Sequence, residues 1–391
     1  MREGWKTAKL GEVCEIYQPK TISRKQLKED GEYPVFGANG IIGRYGHYNH
    51  EEPQVLITCR GATCGHVNVS LPKSWITGNA MVVRPLSQDL DLRYLEYFCR
   101  GAIDFSAVIS GAAQPQITRK SLFPVIIKYP PLPEQKRIVA ILDEAFAGIE
   151  KAVANTEKNL ANARELFRSY LNAVFDRAYN SNKIVLLSDM TTDITDGDHM
   201  PPPKSETGVP FVTIRNINKT TREIDFNDTF MVPREYFESL KVNKRPQKGD
   251  VLYTVTGSFG IPVLVEYSKD FCFQRHIGLI RPKPTIHSKW LTYLLMSPQV
   301  LWQAHDKATG TAQKTVSLKA LRDFRVPVMP QNDQLNAVIK LDELFFETRR
   351  LESIYHQKLT ALTELKQSLL QKAFSGELTA NANNMRKEAA A

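Results

Sequence analysis

Little in these 391 residues marks an enzyme, a membrane span or a disulfide-stapled secreted domain. The longest stretch without Asp, Glu, Lys or Arg is Trp290–His305, and Pro298 interrupts its 16 residues, so no spanning helix is expected. The N-terminal MREGWKTAKLGE lacks the apolar core of a signal peptide, and the expected location is the cytoplasm. Five cysteines (Cys14, Cys59, Cys64, Cys99 and Cys272) are an odd number without a CxxC pair, which argues against a disulfide framework or a zinc ribbon. No GxxxxGKS/T loop is present, so no P-loop motor is encoded, and no GxGxxG follows a strand. An Asn/Asp-Pro-Pro-aromatic tetrapeptide is also missing: the Pro pairs read Tyr129-Pro-Pro-Leu and Met200-Pro-Pro-Pro. His47, His50, Cys59, Cys64 and His66 fall within twenty residues, but their spacing fits no zinc pattern; they read as buried thiols and loop imidazoles. No catalytic residue, metal ligand or cofactor site is expected in the chain itself.

What is present is a modest basic surplus, and it is localised. With 42% hydrophobic residues the chain is too apolar to be disordered, and its net charge is +9. Residues 1–133 hold a balance of +4 and residues 183–330 a balance of +5, while 134–182 and 331–391 are neutral. That alternation follows an internal repeat. Set over one another at a constant offset of 199, Gly111–Phe175 and Gly310–Phe374 match without a gap. Gln114 falls on Gln313, Pro131 on Pro330, Gln135 on Gln334, and the set Leu142, Asp143, Glu144, Phe146 on Leu341, Asp342, Glu343, Phe345. Upstream the match continues with small shifts, LITCRG (56–61) on LYTVTG (252–257), and then fades into loops of unequal length.

The neutral segments read as long helices. Pro130, Pro131 and Pro133 end extended chain, and a proline-free run begins at Glu134. Ile138, Leu142, Ala145, Ile149 and Ala152 step by fours and threes, a phase break follows, and Leu160, Ala163, Phe167, Tyr170 and Val174 resume the pattern. The second copy runs through Val338, Leu341, Phe345, Thr348, Tyr355, Leu359, Leu362 and Leu369. About 40 residues predict a length of roughly 60 Å for each. The basic segments read as compact modules with short strands at Val55–Thr58, Met81–Val83, Pro124–Ile127, Pro210–Ile214, Val251–Val255 and Ile277–Ile280. Each also holds an amphipathic helix, near Leu92–Cys99 or Lys289–Met296. The expected fold class is α+β: two globular modules alternating with two long coiled-coil helices, as an internal repeat. The expected boundaries are 1–133, 134–182, 183–330, and 331–391 including the tail.

The remaining polar features suit nucleic acid. The loop Gly37–His50 mixes Asn39, Arg44, Tyr45 and Tyr48 with four glycines; arginine pairs with guanine and asparagine with adenine in a major groove. The stretch 191–203, carrying Asp196 and His199, and Arg215-Asn216 are the comparable features of the second half. Polar groups follow apolar runs at Thr58 and Arg60, at Asn79, at Thr256 and Ser258, and at Gln274-Arg275-His276. Gln114 and Gln116, then Gln313 and Lys314, sit in register before the two helices. Two other classes stay open on residues alone, a coiled-coil scaffold whose modules bind protein and an enzyme with an unrecognised site.

The duplicated plan, Pro130-Pro-Leu-Pro-Glu-Gln135 ahead of Ile138, and Ile194-Thr-Asp-Gly-Asp-His199 with Pro201–Pro203 carry a resemblance. The chain resembles the specificity (S) subunits of type I restriction-modification systems over nearly its full length. The second copy of the proline signature is worn to Val328-Met-Pro330 and Asp333-Gln334, and the first module lacks the Asp-Gly-His opening. The resemblance implies two target recognition domains, each reading one half of an asymmetric, interrupted site on double-stranded DNA. It implies long helices that pack antiparallel within a pseudo-twofold repeat, set the gap between half-sites and dock two methyltransferase (M) subunits for adenine-N6 methylation, joined by restriction (R) subunits for ATP-dependent cleavage. Ile138, Leu142, Ile149, Phe167, Leu171, Leu341, Phe345, Tyr355, Leu362 and Leu369 are the apolar positions expected to serve that docking. S-adenosylmethionine, ATP and Mg2+ would belong to the partner subunits, and this chain would catalyse nothing and bind no membrane.

Overall fold

A computed structural model of the chain describes residues 4–111, 114–197, 199, 202–311 and 313–380. Asp198, Met200 and Pro201 of the second module's opening motif, and the tail beyond residue 380, lie outside the described residues. The chain divides into two compact units, one running to Glu157 and resuming at His356, the other Lys158–Tyr355.

In the first unit, β1 (Lys6–Lys9) pairs antiparallel with β9 (Ile126–Tyr129). A four-stranded sheet has the order β2 (Cys14–Tyr17), β8 (Ala80–Pro85), β5 (Val55–Thr58), β6 (Val67–Val69). A three-stranded sheet places β3 (Tyr33–Gly37) between β4 (Gly40–Tyr45), antiparallel, and β7 (Trp75–Ile76), parallel. Helix α1 (Leu92–Gly101) starts where the Asp91 carboxylate accepts the N–H groups of Arg93 (2.9 Å) and Tyr94 (3.0 Å). It buries Tyr94, Leu95, Phe98 and Cys99 against the sheet and the long helices.

The second unit repeats the plan strand for strand. β10 (Ile184–Leu186) pairs with β18 (Arg325–Pro327). The four-stranded sheet runs β11 (Thr191–Asp196), β17 (Ile277–Pro282), β14 (Val251–Thr254), β15 (Pro262–Leu264). β12 (Val209–Val212) again lies between an antiparallel neighbour, β13 (Phe230–Val232), and a parallel one, β16 (Cys272–Phe273). Helix α3 (Ser288–Met296) packs Trp290 fully inside the core, tilted against Phe175 at 6.0 Å. A second helix, Pro298–Lys307, follows at once. Pro298 both stops α3 and occupies the first turn of its successor, where its missing N–H costs nothing.

The long helices are longer than expected. α2 (Leu132–Ser181) has 50 residues and α4 (Gln331–Ser375) has 45, so α2 extends about 75 Å. Pro133 is tolerated within the first turn of α2. The expected phase break in α2 is occupied by Thr156, which is buried and returns its hydroxyl to the Ala152 carbonyl at 2.7 Å. Ile149, Val153, Thr156, Leu160, Ala163 and Phe167 therefore continue the four-three stepping through it. In the second unit the helices run antiparallel: Arg164 meets Glu352 at 2.7 Å while Phe167 meets Phe345 at 5.4 Å.

Each long helix is tied to its module by the same two devices. Gln135 is fully buried; its Nε2 donates to the carbonyls of Asp89 (2.7 Å) and Pro130 (2.8 Å), and its Oε1 accepts from the Asp91 N–H (2.8 Å). Gln334 does the same with the Thr285 and Met329 carbonyls (3.4 and 2.8 Å) and the His287 N–H (2.8 Å). One turn or two further on, Asp143 accepts from the Tyr97 hydroxyl and from Arg93 (2.5 Å), and Asp342 from Tyr293 (2.7 Å) and Lys289 (2.9 Å). The proline-glutamine signature is thus a structural clip.

Five of the six expected strands differ at a boundary: the one expected at Met81–Val83 runs Ala80–Pro85, and the one expected at Ile277–Ile280 continues to Pro282. The strand expected at Pro124–Ile127 begins at Ile126, because the Val125 N–H closes a turn onto the Leu122 carbonyl. The strand expected at Pro210–Ile214 ends at Val212, where Asn216 folds residues 214–216 into a short turn, and the one expected to reach Val255 ends at Thr254.

Candidate nucleic-acid interface

In the second unit, residues from 196 to 318 in sequence line two adjoining concavities of about 800 and 400 Å³, with Thr256, His276 and Gln313 common to both. Arg215, Asn216, Ser258 and Gln274 line the larger, and Asp196, His199 and Arg275 the smaller. The backbone explains the gathering. β14 ends at Thr254, whose hydroxyl donates to the Ser258 carbonyl (2.8 Å) and accepts from the Ile261 N–H (3.0 Å). This closes a turn that contains Gly257 at φ +71°. The Gly257 N–H binds the Lys314 carbonyl at 3.0 Å, docking the turn onto the Thr309–Thr315 hairpin. Gly310 there has φ +107°, and a Cβ on it would stand 2.4 Å from the Gln313 carbonyl oxygen, so the hairpin requires glycine.

Arg215, Arg275 and Lys314 are exposed and have no side-chain partner among the described residues. Ser258 accepts from Lys219 at 2.8 Å, a lysine the sequence reading missed. Burial, and after it the Arg275 charge, hold the His276 imidazole below its ordinary range, so it stays neutral near pH 7. Asp196 engages His199 (2.7 Å) and Lys244 (3.7 Å), and residues 191–196, expected as loop, are strand β11. Asn216 is spent internally: its Oδ1 accepts from the Thr213 N–H and hydroxyl (both 2.8 Å), and its Nδ2 donates to the Asp228 carbonyl (2.9 Å). With its hydrogen bonds filled and 3% exposure, it positions Arg215 and offers no base edge contact of its own.

The first unit builds the same rim from other residues. Thr58 donates its hydroxyl to the Ala38 carbonyl, Arg60 and Gln116 form a backbone bridge, and Gly111 (φ +86°) turns the Ser110–Gln116 hairpin that carries Gln114. Asn39 sits at the β3–β4 turn and accepts from Asn68 at 3.2 Å. Asn68 and Gln18 were not singled out in the sequence, and His66, which bonds Asn68, was weighed there only as a metal ligand; Gln18 reaches the rim by donating to the Cys59 sulfur (3.0 Å) and the Gly78 carbonyl (2.9 Å).

The Gly37–His50 segment is a hairpin rather than a free loop, and three of its expected contact residues brace it. Arg44 donates to the carbonyls of Gly31 and Glu32, both at 2.5 Å. Tyr45 lies edge-on to Trp75 at 5.3 Å, and Tyr48 to Tyr33 at 5.0 Å. Its base is tied by Asn49, which accepts from the Ile76 N–H (2.8 Å) and from His50 Nδ1 (2.6 Å). That donor assignment leaves His50 Nε2 to accept from the Tyr17 hydroxyl at 2.7 Å, and burial lowers the His50 pKa accordingly.

Of the apolar positions expected to dock partners, Ile138, Leu142, Ile149, Leu171 and Leu341 are buried in the chain's own cores. Phe167, Phe345, Tyr355, Leu362 and Leu369 are half-buried. The large apolar side chains that remain open on α4 are others: Leu335 (46% exposed), Ile339 (57%) and Phe346 (69%) near its start, with Ile354 and Leu365 further along. No group of three or more His, Cys, Asp or Glu is placed to hold a metal among the described residues, and no helix there is long and apolar enough to cross a membrane.

Against known proteins, the family model described as Type I restriction modification DNA specificity domain matches residues 2–157 and 195–361. The chain is similar to the type I restriction enzyme EcoKI specificity subunit of Escherichia coli K12, 23% identical over 93% of this chain and 79% of that protein. It is 24% identical to the EcoBI specificity subunit of E. coli over 70% of this chain, and spans 63% of that protein's length. Among solved structures it is similar to a chain from a study of assembly and conformational transition of the type I R-M system, with TM-score 0.78, 18% identity and coverage of 97% and 99%. The HsdS subunit from Thermoanaerobacter tengcongensis gives TM-score 0.60, 19% identity and coverage of 97% and 98%. At these identities the structural likeness speaks to the fold.

Proposed function

Because this chain belongs to the family of type I restriction-modification DNA specificity proteins, we propose that its two modules each read one half of an asymmetric, interrupted DNA site. The observation that carries this reading is the repeated rim: two modules of the same strand order, each gathering uncharged and basic side chains at the end of the same two strands and the same glycine hairpin. Base contacts from those rims give the words, and the basic surplus of each module supports contacts to phosphate. A balance of +4 or +5 per module is modest, so the chain alone binds DNA weakly and its partners supply much of the grip.

The partners in this reading are two methyltransferase subunits, which bring S-adenosylmethionine, and restriction subunits, which bring ATP and Mg2+; the chain itself acts in the cytoplasm as a non-catalytic specificity subunit. One feature of both units supports docking of one partner twice, and a second supports docking on α4 alone. A cleft lies at matched positions of each unit, about 630 Å³ beside Tyr97, Asp143 and Phe146 and about 510 Å³ beside Tyr293, Asp342 and Phe345. Leu335, Ile339 and Phe346, at spacings of four and seven, leave an apolar stripe uncovered on α4. The long helices set the number of unread base pairs between the half-sites.

Co-expression with the methyltransferase partner, followed by sequencing that detects N6-methyladenine, tests the reading. The expected result is one bipartite methylated motif; no motif, or a continuous short one, contradicts it.

A further inference from the structure

Backbone hydrogen bonds place the two rims in residue-by-residue correspondence. The Phe36 carbonyl accepts from the Thr77 N–H and the Val212 carbonyl from the Gln274 N–H, both at 3.0 Å. The Cys59 N–H binds the Asn79 carbonyl (3.4 Å) and the Val255 N–H binds the His276 carbonyl (2.9 Å). Asn79 thus stands where His276 stands, and Gly78 where Arg275 stands. Three residues beyond Phe36 and Val212 come Asn39 and Arg215, and the bridges of Arg60 to Gln116 and of Thr256 to Thr315 match those two residues as well. The first rim therefore presents Gly78, Asn79 and Arg60 at the places where the second presents Arg275, His276 and Thr256, while Asn39 in the β3–β4 turn and Arg215 in the short turn 214–216 lie equally far along the chain past a matched strand position.

The chemistry of Asn39 and Asn79 differs in kind from that of Arg215 and Arg275, although Arg60 gives the first rim one exposed guanidinium as well. A side-chain amide carries a donor and an acceptor together, the pattern that complements adenine N6 and N7 in the major groove; a guanidinium offers only donors, which complement guanine O6 and N7. Asn39 and Asn79 are exposed, and Asn39 keeps its NH2 free while its oxygen accepts from Asn68. Arg215 and Arg275 are exposed and unpaired among the described residues, with no carboxylate bonded to them to neutralise the charge.

We propose that the two half-sites differ in base class: the first module reads adenine·thymine pairs through Asn39 and Asn79, and the second reads guanines through Arg215 and Arg275. This rests on the reading of each module as a half-site reader, and its test keeps the two apart. The complex of the full chain with its methyltransferase partner is expressed as wild type and as N39A, R215A and R275A, and the methylated motif of each is sequenced. In the wild type one half-site is specified at A·T pairs and the other contains at least two guanines. R215A and R275A each relax a guanine position of that second half-site, by roughly tenfold or more in preference, and leave the first half-site intact. N39A relaxes an A·T position of the first. The variant R215N moves preference at the relaxed position toward adenine, a gain that a loss of folding cannot produce. If R215A and R275A lower methylation evenly with every motif position retained, they touch phosphate and the proposal fails while the bipartite reading stands. Relaxation at A·T pairs by either arginine variant overturns it in the same way, and a wild type without a bipartite motif overturns both.

Discussion

Gln135 and Gln334 make the same three backbone bonds at the same step of the fold, whereas Gly78-Asn79 and Arg275-His276 share a backbone position and present different chemistry. At these positions the two modules agree where the side chain is consumed by the main chain and diverge where it is left open. A buried amide that loses a partner leaves donors and acceptors unsatisfied, so the clip cannot drift. A rim residue without partners has no such constraint, so it can be exchanged without disturbing the strands beneath. Duplication with this division of labour yields one scaffold that carries two independent words.

The largest effect should come from breaking the clips. Q135A and Q334A each strand a buried N–H and two carbonyls, at a cost of about 2–4 kcal/mol measured by denaturant unfolding. The Q334A loss should be slightly the smaller, because its bond to Thr285 is long at 3.4 Å. A Q334A variant of wild-type stability would break the equivalence of the two modules. The second device is half exposed and weaker: D143N and D342N, which weaken the bonds to Tyr97 and Arg93 and to Tyr293 and Lys289, should each cost about 1 kcal/mol in the same assay.

Next comes a difference in pH response. His50 belongs to the first module's hairpin, and its folded pKa lies below the ordinary imidazole value because of burial and then the Arg84 charge. Protonation therefore favours the unfolded chain: the stability His50 contributes is present above the ordinary imidazole range and is lost as pH falls through it. Tm should drop between pH 7.5 and 5.5, with a shallower slope in H50Q; an unchanged slope removes His50 from this role. The smallest effect separates two neighbours on the second rim. K314A should reduce the salt slope of DNA binding by the complex by about one, and Q313A should leave that slope while relaxing sequence choice.

Much of this was legible beforehand. The offset of 199 exposed the duplication, Val55–Thr58 was read as the strand it is, and most of the second rim's residues were named as a set that the fold brings together. The misreadings have local causes. Thr156 broke the apolar count in α2 because a threonine buried with its hydroxyl bonded one turn back looks polar in sequence. Arg44 and Asn216 are bonded to the main chain, and Tyr45 and Tyr48 rest on Trp75 and Tyr33, engagements that composition does not signal. The apolar seam of the long helices was assigned to partners, yet much of it is used within the chain; Leu335, Ile339 and Phe346, off the seam, stay open. Gln18 and Asn68 reach the rim only through tertiary bonds, and nothing near them in sequence signals it.

The most direct test of the central claim is to exchange residues 1–110 for the corresponding module of a homologous chain and sequence the methylated motif of the complex. One half-site should change, with the other half-site and the gap between them retained. A change in both half-sites, or in neither, would contradict the account.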